Sequence, residues 1–178
     1  MSKLDFYMDL SVSCSESAEF LRKKHRDWNK EKSDREKIFS GEREFVSDVY
    51  HLLVKKNPEY RNYLLVDYMR PGERENDEGA VPDLVLRNDH NDSVVEIKAI
   101  VNRRKDGSPE PLSSDLESIQ GDHEQLLNHY KLFKTKIQVV AFLGEIPDGE
   151  VGQHYLDSLK ASIHKNYRDT DKMKLIVC

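Results

Sequence analysis

Two carboxylates and a lysine fall where a pair of strands would bring them together. Asp83 follows Pro82 at the start of one apolar run, and Glu96 and Lys98 flank Ile97 in the next. Side chains two apart on a strand share a face, so Glu96 and Lys98 project together while Ile97 points the other way. Segment 87–92, rich in asparagine and aspartate, reads as the turn of a hairpin. A turn centred near residues 89–90 pairs position 83 with position 96, the two numbers summing to 179. Cross-strand neighbours have β-carbons about 5 Å apart. Carboxylates that close repel each other unless they share a cation, and hard oxygen ligands suit Mg²⁺ or Mn²⁺. A lysine on the same face can hold or deprotonate a water and balance charge. The metal would add Lewis acidity toward a phosphoryl oxygen and a more acidic bound water.

In a chain that is 34% charged, chance supplies acidic-x-Lys tripeptides, and surface strands often alternate charged with apolar residues. Context argues for more here. Val94-Val95 precede Glu96, and Ala99-Ile100-Val101 follow Lys98. A strand this apolar is expected to be buried on both faces, where bare charges are costly. No other acidic-x-Lys tripeptide occurs in the chain.

The elements that must position these residues follow from periodicity. Residues 1–14 read as an irregular or strand-like lead. Residues 15–32 are predicted to be a helix loosely capped at Ser15, with Ala18, Phe20, Leu21 and Trp28 as a thin apolar stripe suited to a peripheral or partner-meeting helix. A stronger helix runs from 35 or 40 to 56, with Ile38, Phe39, Phe45, Val46, Val49, Leu52 and Leu53 on one face. Strands are expected at 63–69, 82–86, 93–101, 137–143 and 174–177. Helices are expected at 115–134, with a break possible at Gly121, and at 149–167. This order implies an α/β fold with a mixed central sheet flanked by helices. The division expected is a helical extension over 1–37 and one domain over 38–178.

Pro82-Asp83 followed by Glu96-Ile97-Lys98 resembles the signature of the PD-(D/E)XK phosphodiesterase superfamily, the restriction-endonuclease-like nucleases. The resemblance implies an αβββαβ core and Mg²⁺-dependent cleavage of phosphodiester bonds, with Asp83, Glu96 and the Ile97 carbonyl holding the metal and Lys98 acting on the water. Many members place a glutamate on the first core helix. Of the two candidates, Glu42 shares the face of Phe45, Val46 and Val49, whereas Glu44 lies with Asp48, His51 and Lys55 on the side expected to be solvated. Glu42 would therefore support a second metal or the water. The segment from Asp122 to Tyr130 resembles the helix after the third strand in many members, which assigns Gln125 to the water, metal or phosphate. Tyr130 is read as core. Nucleic acid is the implied partner, with DNA ahead of RNA because most of the family acts on DNA, in a defence, restriction or repair setting. A homodimer, or a partner protein that supplies recognition, is compatible with it. The alternative is a non-catalytic binding or assembly subunit on the same fold.

Composition bounds the rest. The 178 residues fit one domain of ordinary size. The net charge of −5 weighs against a stand-alone, high-affinity binder of nucleic acid, which needs many phosphate contacts. Arg103-Arg104-Lys105, leaving the Lys98 strand, would give a local basic track toward phosphates. His123 and His129, six apart, do not share a helical face and are read as ordinary helix residues. There is no Gly-x-x-x-x-Gly-Lys loop for ATP. Cys14 and Cys178, near opposite ends of the chain, are expected to be free thiols, which together with the lack of a membrane-length apolar run implies a cytoplasmic protein.

Overall fold

The longest apolar runs of the chain lie side by side at the centre of one sheet. The computed structural model describes residues 5–32, 41–67, 81–87, 92–101, 113–130, 132–146, 149–166 and 173–178. Strands β1 (Leu64–Val66), β2 (Leu84–Leu86), β3 (Ser93–Ile100), β4 (Thr135–Phe142) and β5 (Met173–Val177) form a five-stranded sheet in sequential order. The first three pair antiparallel, and β3, β4 and β5 run parallel. Parallel neighbours need helical crossovers. Helices α4 (Ser113–Asn128) and α5 (Gly149–Asn166) stand between the parallel strands in the chain order, after α1 (Phe6–Asn29), α2 (Glu42–Lys56) and the short α3 (Tyr60–Tyr63). The result is an α/β fold with a mixed open sheet.

Two layers of core hold this sheet. Leu84, Val95, Ile97, Val139 and Ala141 pack with α1 and α2 in the larger cluster. On the opposite face Val94 and Val85 meet Leu126 and Tyr130, while Ile100, Val140 and Phe142 meet Ile119 of α4 and Leu159 and Ile163 of α5. Alternate residues of β3 thus serve different layers, as a strand covered on both sides requires.

The N-terminal segment differs from its expected form. Residues 6–14 are helical, not irregular or strand-like: Asp5 caps α1 by accepting a hydrogen bond from the Met8 N–H at 3.2 Å, and Ser15 lies inside the helix. Phe6, Leu10, Cys14, Ala18, Leu21 and His25 recur at spacings of four and three and are buried. The stripe looks thin in sequence because two of its large members, Phe20 and Trp28, are 58% and 46% exposed, while Phe6, Leu10 and Cys14 of the contact face precede residue 15. α1 accordingly shares the larger core with α2 and the sheet. Its Cys14 also meets Cys178 there, so thiols from opposite ends of the chain become neighbours.

Other limits are shorter than expected. α2 begins at Glu42, and Ile38 and Phe39 lie outside the described residues. β1 ends at Val66 and β2 starts only at Leu84. α4 continues through Gly121, where nothing within 4 Å would oppose a side chain, and ends at Asn128 rather than near Lys134. Among the described residues no helix is long and apolar enough to cross a membrane.

Candidate active site

The site begins where β2 is missing. Leu84 pairs with Val95, Val85 with Val94 and Leu86 with Ser93, so paired positions sum to 179 and Asp83 comes opposite Glu96 as the next step of the register. β2 has no further residue to offer Ile97 or Ala99. An N–H left unpaired at such an edge must find another acceptor. The Ile97 N–H donates to Asp83 Oδ2 at 2.7 Å, and the Ala99 N–H donates to Glu42 Oε2 at 3.2 Å. Carboxylates from the approach to β2 and from the first turn of α2 therefore replace the absent strand. In an extended strand a residue's N–H and C=O point to the same side, which turns the Ile97 carbonyl toward this open edge as well.

Glu96 points to the face covered by α4 and is only 7% exposed. Its Oε1 accepts from Tyr130 Oη–H at 2.8 Å and from Gln125 Nε2 at 3.0 Å. Gln125 Nε2 also donates to Tyr130 Oη at 2.7 Å, closing a triangle. Gln125 thus holds a carboxylate, whereas its sequence-based role was toward water, metal or phosphate. Tyr130 is fully buried, but its hydroxyl belongs to the same network, so the reading as core alone was incomplete. The tyrosine lies beyond the end of α4, and the sequence carried no signal for where its hydroxyl would point.

Lys98 Nζ stands 3.7 Å from Glu42 Oε2. Its charge also acts on Asp122, a residue of α4. Asp122 lies three positions before Gln125, hence on the same helical side, and that spacing was the available signal. Glu44, on the side expected to be solvated, keeps 39% of its side chain exposed and pairs with Lys24 of α1. His123 Nδ1 lies 3.1 Å from Gln138 Oε1, within the packing of α4 on the sheet. Arg103, Arg104 and Lys105 lie outside the described residues.

Burial and crowding raise three of these acids. Asp83 is pushed up to about 7, first by desolvation and then by Glu42, Asp122 and Asp67, against the Ile97 N–H, which lowers it. Glu96 is pushed up to about 8 by desolvation, then by Asp83, with Asp122 and Glu42 adding to it and the Tyr130 hydrogen bond opposing. Asp122 is raised to about 6 by burial, with Glu42 adding to it and Lys98 opposing. Among the described residues, Asp83, Glu96, Asp122 and Glu42 thus crowd together around the ammonium of Lys98, with Asp67 adding to the negative charge at Asp83.

Such a surplus suits a hard divalent cation. Among the described residues no three His, Cys, Asp or Glu side chains are close enough to cage a metal by themselves. Asp83, Glu96 and the Ile97 carbonyl are the oxygens here that could serve such an ion in part, and Mg²⁺ is commonly held by one or two carboxylates with water. A cavity of about 470 Å³ opens beside Glu42 and Asp83, with Arg43, Ser47, Tyr50 and Val66 in its wall. The chain matches no family model, and no curated protein matches it.

Proposed function

We propose that the chain is a metal-dependent nuclease that hydrolyses phosphodiester bonds, built on a core of the PD-(D/E)XK kind. One observation carries the reading most: Asp83 falls opposite Glu96 in the strand register at an edge of β3 that β2 leaves open, with Lys98 on the face of Glu96. Charge of this density costs stability, and a shared cation offsets it.

Asp83, Glu96 and the Ile97 carbonyl would hold Mg²⁺ or Mn²⁺, with Glu42 and Asp122 bordering the same charge. When bound, the cation supplies Lewis acidity toward a phosphoryl oxygen and lowers the pKa of a water. Each protein group then has a definite task. Tyr130 and Gln125 hold Glu96 Oε1, and the Ile97 N–H holds Asp83 Oδ2, so these acids keep their places with or without substrate. Lys98 orients the attacking water and balances charge on the phosphoryl oxygens. Water oxygen bonds to phosphorus in line with the bridging oxygen and gives up one proton to solvent, that P–O bond breaks, and the departing oxygen takes one proton from solvent. The cavity by Arg43 and Tyr50 offers the strand a cation and an aromatic ring.

DNA is the substrate proposed first, because most of the family that the motif resembles acts on DNA. The test incubates plasmid, linear and single-stranded DNA, and RNA, with Mg²⁺, Mn²⁺ or EDTA, beside Lys98→Ala. Cleavage with Mg²⁺ that stops in EDTA and falls at least 100-fold in the variant is expected. Unchanged cleavage by Lys98→Ala would remove the mechanism. Failure of the wild type to cut any substrate would leave the non-catalytic subunit as the reading.

A further inference from the structure

Cys14 and Cys178 are the only cysteines in the chain, both are free thiols, and the carboxylate site uses neither. α1 carries the first, and the second follows β5 directly. Both belong to the core cluster that joins α1 to the sheet. Within it the Cys178 thiol acts on Cys14 by a side-chain hydrogen bond as well as by charge. Thiols that meet in this way have their sulfurs within reach of a single covalent bond.

The two thiols differ in access. A groove of about 480 Å³ is lined by α1 and α5, and among the described residues its wall includes Cys178, with Ser15 and Arg22 of α1 and Lys160 of α5. Cys178 is 3% exposed and borders that groove, whereas Cys14, next to Ser15 in the helix, is at 0%. A small oxidant entering the groove therefore meets Cys178 first.

The two also differ in electrostatic surroundings. Desolvation, and then the neighbouring Cys178, push Cys14 well above the usual thiol range, which makes it a poor first nucleophile. Cys178 has a cation for company. Burial disfavours the charged form of Arg22, and Cys178 is the first of the groups that relieve it. The arginine is also fixed in place: its Nη1 donates to the Phe142 carbonyl at 2.7 Å, and the Phe142 N–H donates to the Cys178 carbonyl at 2.8 Å. One residue of β4 thus holds both the guanidinium and the cysteine. A guanidinium kept there can stabilise the hydroxide that a peroxide releases.

We propose that Cys178 is an oxidation site for a small hydroperoxide and that Cys14 resolves it, closing a Cys14–Cys178 disulfide that fastens α1 to the sheet. With hydrogen peroxide, the Cys178 thiolate bonds to one oxygen and the O–O bond breaks. The released hydroxide takes up the proton that Cys178 gave up, and Cys178 is left as a sulfenic acid. Sulfur of Cys14 then bonds to sulfur of Cys178, the Cys14 proton passes to the departing hydroxyl, and water leaves. In sum the two thiols lose two electrons and two protons, and one peroxide becomes two waters. None of these residues belongs to the carboxylate site, so the nuclease reading and this one can fail separately.

The test exposes the folded full chain to hydrogen peroxide, denatures it, caps free thiols with iodoacetamide and maps the peptides without reduction. Neither cysteine is expected to be alkylated, a linked peptide pair should contain Cys14 and Cys178, and dithiothreitol should restore both thiols. The bond closes a loop over nearly all the described residues, so Tm should rise by about 5–15 °C on oxidation. Cys14→Ser should stop at a sulfenic acid on Cys178 that dimedone traps, while Cys178→Ser should leave Cys14 unoxidised. Should either variant fail to fold, the wild-type map decides alone. Both thiols still free after peroxide, oxygen added to a sulfur without the linked pair, linkage only between two chains, or a Tm that falls on linkage would each overturn the proposal.

Discussion

At the scale of single residues the site is defined by which carboxylate oxygen is held and by what. Glu96 Oε1 has two donors, and one comes from Tyr130. Tyr130→Phe keeps the ring in its pocket and removes the hydroxyl. Loss of a supporting hydrogen bond of this kind lowers metal affinity or activity roughly 10–100-fold. That drop is expected in Mg²⁺ titration and initial rates, with folding retained; unchanged values would make Tyr130 a core residue only. The raised acids also set a pH dependence for the metal-free protein. Asp83 at about 7 and Glu96 at about 8 hold protons in the folded state that free carboxyls release near pH 4. The unfolded chain therefore binds fewer protons between about pH 4 and 8, and stability falls as pH rises through that window. Thermal unfolding in EDTA should show a lower Tm at pH 8 than at pH 5. Glu96→Gln should flatten the slope, and a Tm that rises with pH would contradict the burial of these acids.

At the scale of elements, α1 is the clearest departure between sequence and structure. Its contact face is made by Leu10, Cys14, Ala18 and Leu21, and between the leucines only the small Cys14 and Ala18 mark that face, while exposed Phe20 marks another. Leu10→Ala should cost about 2–5 kcal/mol in denaturant unfolding, as other fully buried leucines do. Phe20→Ala should stay within about 0.5 kcal/mol, because that ring is exposed. The reverse ranking would return α1 to the periphery. The strands were more legible. β3 and β4 are long apolar runs between turn signals, and the hairpin register follows from the turn centre, so Leu84 pairs with Val95 as the spacing demands. Their limits were less so: β2 starts after Asp83 because the aspartate turns to the Ile97 N–H in place of ladder pairing. α4 ends at Asn128, and Tyr130 packs against Phe133 beyond the helix, edge to face at 6.2 Å.

At the scale of the whole molecule the two cysteines show what folding adds. Cys14 and Cys178 are buried and free, and burial together with the neighbouring Cys178 thiol pushes Cys14 well above the usual thiol range. A thiolate is the reactive form, so an aromatic disulfide reagent should leave Cys14 unlabelled in the native protein and label it after denaturation. Rapid native labelling of Cys14 would show that α1 leaves the sheet. By itself the sequence determined the α/β class, the central strands and the hairpin register that pairs Leu84 with Val95, because strand period and turn position are local properties. It also separated Glu42 from Glu44 by helical phase. Only the tertiary structure decided that Asp122 and Tyr130 join the carboxylates, that Glu44 meets Lys24, and that Arg22 and Lys160 border one groove. Those relations depend on how α1, α4 and α5 pack on the sheet, and packing brings together residues that no local spacing relates.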